Sequence, residues 1–304
     1  MLIYKSGLEN AVNSANIKQV APFTFAKNTT YGLGGNALKA YYPRTPWQAK
    51  QVYDNLKSCG TRFEIVGCGS NLLVSDSGME GEVISTRDLR GIIRLSADKL
   101  LCLAGTRISE LLAYCKNHSL GGLEYLYGIP ATVGGAAYMN AGVSGFAIGD
   151  NIVDVCVYDG KIAHFSHEMC KFGYRRSTMR DINALILSII VKVDECSLQD
   201  IDDRISYFKN RRSHLPKGKS CGCVFKNPEG YCAGKLIDFA GLKGYKVGGA
   251  RVSDIHADFI LNEGATANDV KTLINLVKSR VFEKFGIVLE EEVVYIGEFN
   301  DFNS

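Results

Sequence analysis

Two glycine-rich stretches have a spacing that suits anion binding: VGCGSNLLVS, Val66 to Ser75, and GIPATVGGAAYMNAG, Gly128 to Gly142. Glycine lets backbone N–H groups approach an anion with no Cβ in the way, and successive N–H groups in such turns form nests. About sixty positions apart, the two could grip a pyrophosphate from both sides. The first is not a dinucleotide fingerprint: the sixth position counted from Gly67 is Leu72, and no amphipathic helix follows. Other reactive types cluster in short runs. Arg175-Arg176 offers a planar, permanently charged fork suited to a carboxylate. In Glu290-Glu291-Glu292 a strand would put Glu290 and Glu292 on one face and Glu291 on the other. Cys221 and Cys223 flank one glycine, and a thiol, with an ordinary pKa of about 8.5, gives up a proton more readily than a hydroxyl. Ten cysteines raise the question of a metal, but there is no C-x-x-C and no histidine spacing to complete a zinc site. Free thiols and no metal are expected.

The elements that must carry these groups read as mixed α and β. Thr45-Pro46 followed by Ala49, Val52, Tyr53 and Leu56 predicts a capped helix closed by Gly60, and Ile108, Leu111, Leu112 and Cys115 repeat the stripe before Gly121-Gly122. FEIVG reads as a short buried strand into the first glycine turn and LLVS as a strand out of it, a β-turn-β element. IVDVCVY and KIAHFS flank Asp159-Gly160, a two-residue hairpin signal. Ala184 to Val193 reads as a central strand. Thr266 and Asp269 cap a helix whose buried face is Val270, Leu273, Ile274, Val277 and Val281, stopped by Gly286; IVLEEEVVYI then reads as a strand. A boundary is expected in the charged segment Asp194 to Arg212.

With 304 residues the chain can hold two or three cores, and 46% hydrophobic content fits a globular protein. A net charge of +3, with scattered basic residues, leaves no footprint for nucleic acid. No apolar run approaches the roughly 18 residues of a membrane span, and Met1 to Ser14 lacks the basic start and apolar middle of a secretory leader. A cytoplasmic location and a monomer are expected.

Seven motifs, in order, resemble those of the UDP-N-acetylenolpyruvoylglucosamine reductases (MurB): NTTYGLGG, VGCGSNLLVSDSG, GLEYLYGIPATVGGAAYMNAG, FGYRRS, SCGCVFKNP, GLKGYKVGGARVSDIHADFILNEG and FGIVLEEEVVYIG. The resemblance runs from Pro22 to Gly297 and is similar to the compact type II branch. It implies an α+β, vanillyl-alcohol-oxidase-like (PCMH-type) FAD-binding fold. An N-terminal helical extension (1–20) would precede FAD-binding subdomains 21–84 and 85–200 and a substrate-binding domain 201–304. It further implies non-covalent FAD, NADPH as hydride donor, and UDP-N-acetylglucosamine enolpyruvate as the small-molecule substrate, reduced to UDP-N-acetylmuramate.

Residue by residue, the resemblance implies that FAD is held by Tyr31, Gly67, Cys68, Gly69, Ser70, Asn71, Leu72, Gly128, Ile129, Pro130, Thr132, Val133, Gly134, Gly135 and Ala141. It assigns catalysis to Arg175, Cys223 and Glu292, with Arg176 a surface cation, and it is the resemblance, not the alternation, that selects Glu292 over Glu290. Substrate contacts fall to Tyr174, Arg211, Lys226, Asn227 and His256, the last reading equally as a satisfied core histidine. Two departures stand out: Cys223 replaces the serine proton donor of many members, preserving the role, and Gly32 stands where the family often has arginine, losing that side chain's contact. The alternative reading is an alcohol or sugar oxidase of the same fold.

Overall fold

The computed structural model describes residues 17–143, 145–182 and 184–299, so the expected helical extension lies outside it except for 17–20, where Lys18–Val20 is a strand. Lys18–Val20 opens a four-stranded sheet, antiparallel to Lys39–Tyr42; Glu82–Ser85 and Phe63–Val66 then continue it in parallel. The helix Pro46–Ser58, capped by the Thr45 hydroxyl on the Gln48 N–H with proline at its start, buries Ala49, Val52, Tyr53 and Leu56 beneath. Behind lies a five-stranded antiparallel sheet in the order Ile162–Ser166, Ile152–Tyr158, Leu185–Lys192, Lys99–Leu103, Ile92–Arg94. Leu185–Lys192 is central, as its run of buried aliphatics predicts. One core joins both sheets.

A second core gathers Val224, Phe225, Leu236, Ile260 and the inner face of the helix Ala267–Phe285, together with Tyr31, Leu33 and Leu73 from the other end of the chain. That helix starts on a Thr266–Asp269 capping box and ends on Gly286 in the left-handed region.

Three details depart from the sequence expectations. The hairpin loop has three residues, Asp159 to Lys161, because Tyr158 pairs with Ile162; Gly160 alone takes a positive φ, so no two-residue primed turn forms. The strands either side of the first glycine turn belong to different sheets: Phe63–Val66 pairs with Glu82–Ser85, while Leu72–Val74 runs parallel to Val294–Ile296. Of IVLEEEVVYI only Val294–Ile296 is strand; Glu290 to Glu292 instead bridge to the 224–226 segment, Glu290 O accepting the Lys226 N–H at 2.8 Å and Glu292 N–H donating to Val224 O at 2.7 Å. The charged segment 194–212 is for the most part the helix Leu198–Ser213, whose Phe208 leans on the first core.

Candidate active site

The first glycine turn is pinned from behind. Arg87 donates through Nε to Gly67 O at 2.9 Å and through Nη2 to Cys68 O at 2.8 Å and Asn28 O at 2.6 Å, with Nη1 on Asn28 Oδ1 at 2.9 Å. Thr30 N–H donates to Gly69 O at 3.2 Å and its hydroxyl approaches Ser70 O at 3.4 Å, while Val294 N–H donates to Asn71 O at 2.9 Å. Every carbonyl from Gly67 to Asn71 thus has a protein donor, whereas among the described residues their N–H groups have no protein acceptor. Backbone dipoles oriented in this way make an anion nest. Gly69 is indispensable to it: φ is +66° and a Cβ would lie 2.5 Å from Asn28 O. Gly69→Ala is expected to cost about 1–3 kcal/mol and to empty the purified protein of flavin, read from its visible absorbance and thermal midpoint.

The second turn works differently from expectation. Val133 N–H goes to Thr106 O at 2.8 Å, Gly134 N–H to Ala104 O at 2.9 Å and Gly135 N–H to the Thr132 hydroxyl at 3.2 Å, so the start of the short helix Val133–Met139 has its donors spent. It forms a close apolar wall rather than a second nest. Charge is supplied there by Arg212, whose Nη2 donates to Gly128 O at 3.0 Å and whose pKa is lowered by burial.

Between the turns opens a cleft of about 710 Å³. It is lined by Gly67 to Leu72, Gly128, Ile129, Pro130, Thr132, Gly134, Gly135 and Ala141, as expected of the cofactor residues. Two expected residues are not on it. Tyr31 is 1% exposed because its ring packs into the second core, leaving neighbouring Thr30 to face the cleft, and Val133 is wholly buried at the helix start. Arg211 is also turned away, its guanidinium 5.7 Å from the Tyr207 ring centre on the exposed face of its helix; Arg212, on the next position round, enters the cleft instead. Lys219 fills the space left by the absent side chain at Gly32, where a Cβ would sit 2.8 Å from the lysine Cδ.

Arg175, Cys223 and Glu292 all line the same cleft. Arg175 is carried by a turn closed by reciprocal Gly173 and Arg176 backbone hydrogen bonds of 3.0 and 3.1 Å and anchored by Asn140 Nδ2 on Gly173 O at 2.8 Å. Its φ of +53° is strained for a non-glycine residue, a kind of strain that clusters at functional sites. Its Nε lies 2.8 Å from Glu292 Oε1, a charge contact without the alignment of a hydrogen bond, and its Nη2 donates to Gly142 O at 3.1 Å. Arg176 is exposed and pairs with Asp181 at 3.6 Å.

Glu292 is fixed by the first turn itself, since Asn71 Nδ2 donates to Glu292 O at 2.9 Å. The Glu292 N–H reaches Val224 O at 2.7 Å, and Val224 N–H reaches Asp258 O at 2.9 Å, so Cys223 is held between the C-terminal segment and the 258–259 segment. The three glutamates divide their roles. Glu290 lies out in solvent and pairs with Lys226; Glu291 pairs with Lys278 at 2.6 Å on the long helix and with the Tyr295 hydroxyl; Glu292 alone enters the cleft. Burial pushes the Glu292 carboxyl above its ordinary value, against the lowering influence of Arg175. Burial pushes the Cys223 thiol far up, with Asp258 and Glu292 adding to the rise and Arg175 opposing it.

Tyr174 is exposed; its hydroxyl accepts the Asn227 N–H at 3.2 Å, and its ring faces the Arg175 guanidinium at 5.4 Å. Asn227 Oδ1 accepts the Ala233 N–H at 2.9 Å. His256 is half-buried, accepts the Asp258 N–H at Nδ1 at 3.3 Å, packs edge-on to Phe259 and is absent from the cleft wall. Arg87, Arg212 and Asp258 were missed by the sequence reading; each is a lone charge in an ordinary run, visible only through its partners. All ten cysteines are free, and among the described residues no group of three or more His, Cys, Asp or Glu is placed to hold a metal.

Residues 213–296 match the family described as UDP-N-acetylenolpyruvoylglucosamine reductase, C-terminal domain. A UDP-N-acetylenolpyruvoylglucosamine reductase from Synechococcus sp. (strain JA-3-3Ab) is 38% identical over 298 residues, spanning 92% of this chain and 92% of its own. The chain belongs to the UDP-N-acetylenolpyruvoylglucosamine reductase family. The reductase of Moorella thermoacetica is 40% identical over 278 residues, spanning 90% of this chain and 91% of its own. The crystal structure of the reductase from Thermus caldophilus superposes with a TM-score of 0.76 at 34% identity, covering 93% of this chain and 99% of that one. Residues 37–164 match the FAD binding domain family, which makes the chain a flavin-dependent oxidoreductase of the reductase family with the expected α+β FAD-binding fold. The open nest at 67–71 and the close wall at 128–135 fit a cofactor that carries a pyrophosphate.

Proposed function

We propose that the protein reduces UDP-N-acetylglucosamine enolpyruvate to UDP-N-acetylmuramate, a step of peptidoglycan precursor synthesis, with NADPH as the source of electrons. The observation that carries the reading is the shared cleft wall: the Arg175 guanidinium, the Cys223 thiol and the Glu292 carboxyl line the same space as the glycine nest. FAD, when bound, supplies the hydride that reaches C3 of the enolpyruvyl ether.

The chain's own residues do the rest. The nest from Gly67 to Asn71, with Arg212 opposite, holds the cofactor's pyrophosphate. Hydride addition at C3 drives negative charge through C2 onto the substrate carboxylate. Arg175, fixed by Glu292 and Gly142 O, meets that charge without reorganising. Glu292, 2.8 Å from the Arg175 Nε, holds the guanidinium toward those oxygens and takes part with it in polarising the substrate. Cys223, held as a neutral thiol, gives its proton to C2. Tyr174, Lys226 and Asn227, around the Arg175 side of the site, orient the nucleotide sugar.

The test is direct. Purified protein is expected to be yellow, to bleach under anaerobic NADPH, and to recolour on adding UDP-N-acetylglucosamine enolpyruvate, with UDP-N-acetylmuramate as the product. Bleaching with no recolouring by this enol ether sinks the substrate assignment.

A further inference from the structure

Asp258 lies behind Cys223, in the turn before the strand Ile260–Asn262, and is 3% exposed. Its Oδ1 accepts the Phe225 N–H at 2.9 Å, its own carbonyl accepts the Val224 N–H at 2.9 Å, and Cys223 pairs across with Phe259. The carboxyl is thus locked against the backbone on either side of the thiol, with the Cys223 sulfur as its side-chain neighbour. No cation among the described residues is its partner. The titratable groups around it are Cys221 and Cys223 on the facing segment, Glu292 on the C-terminal segment, and His256 on its own turn, whose Nδ1 is already taken by the Asp258 N–H. Burial raises the carboxyl to about 8, with Glu292 adding to the rise and the hydrogen bonds opposing it, so that it is largely protonated at neutral pH.

An aspartate that only tied down the Phe225 N–H could be an asparagine at no cost, and a buried carboxyl without a cation is an expensive way to make one hydrogen bond. We propose that Asp258 is the positioning residue for proton transfer at Cys223: it aims the thiol into the cleft and restores the sulfur's proton after each transfer. This rests on the reading of Cys223 as proton donor. As the C2–H bond forms, the S–H bond breaks and leaves a thiolate. The Asp258 O–H bond then breaks as S–H forms again, and the carboxylate left behind recovers a proton from water. No electrons move in either step.

Asp258→Asn separates the two roles, because the amide oxygen keeps the Phe225 N–H but can neither ionise nor return a proton. Flavin reduction by NADPH is expected to stay within about twofold of wild type, which also certifies the fold, while reoxidation by the enol ether slows by about tenfold or more. The wild-type reoxidation rate is expected to fall as pH rises through about 8, where Asp258 loses its proton, and the variant to lack this step. Independently of turnover, alkylation of Cys223 by iodoacetamide at pH 9, followed by the mass of its peptide, is expected to run about tenfold faster in the variant, because no carboxylate then opposes the thiolate. Unchanged reoxidation, pH profile and alkylation rate overturn the proposal. Should the variant fail to fold, a wild-type reoxidation rate flat between pH 6 and 9 overturns it equally. If wild type itself fails to reoxidise with the enol ether, the functional reading is what has failed, and the alkylation rate still decides the coupling: raised in the variant supports it, unmoved overturns it.

Discussion

Cys223→Ala is expected to slow reoxidation of the reduced flavin by the enol ether by about 10²- to 10⁴-fold, the usual worth of a positioned general acid, and to leave reduction by NADPH near normal. The asymmetry follows from where the proton is needed. Charge builds at C2 only after hydride has reached C3, so loss of the thiol touches only the second half-reaction. The raised thiol pKa keeps the sulfur protonated over the whole working range; a thiol depressed by a nearby cation would arrive empty. Cys223→Ser should fall between the two, since a hydroxyl can occupy the place but is a poorer acid. Stopped-flow absorbance of each half-reaction separates these outcomes, and an equal loss in both halves contradicts the assignment.

Arg175→Ala is expected to lower kcat by about 10²- to 10³-fold, comparable to removing one preorganised donor from a site of developing charge. KM should change less, because the interaction strengthens as the carboxylate gains charge. Arg175→Lys should restore little: the planar fork spans the Glu292 carboxyl and the Gly142 carbonyl at once, which a single ammonium cannot do. Removing the guanidinium also removes what holds the Glu292 pKa down, so its carboxyl should rise further and any alkaline limb it governs should move to higher pH. Steady-state kinetics across pH for both variants read these effects; a purely KM-based loss would place Arg175 in ground-state binding instead.

Much of the architecture could be read from local chemistry. The helices Pro46–Ser58 and Ala267–Phe285 carry caps, apolar stripes and glycine stops, and they form where those signals lie. Leu185–Lys192 was legible because a strand buried on both faces needs unbroken aliphatics. The hairpin length was not, since Asp159-Gly160 fits a two-residue and a three-residue loop alike until strand register selects one. At the site, the first glycine turn was visible as a nest, but the exhaustion of donors at Val133 to Gly135 depends on Ala104 and Thr106, distant in sequence. Arg211 and Arg212 cannot be told apart by type; only the helix rotation chooses between them. Asp258 was the deepest blind spot. Its neighbours Ala257 and Phe259 mark an apolar turn, and nothing local says that its carboxyl will abut a thiol from another segment.

The parallel pairing of Val294–Ile296 with Leu72–Val74 has a consequence for biosynthesis. A chain emerging from the ribosome exposes the phosphate-gripping turn early, yet Asn71 lacks both Glu292 O and the Val294 N–H until about 220 further residues have been translated. Nascent polypeptide therefore cannot close the reaction chamber until Glu292 to Ile296 have been made, and these same residues also complete the buried cores.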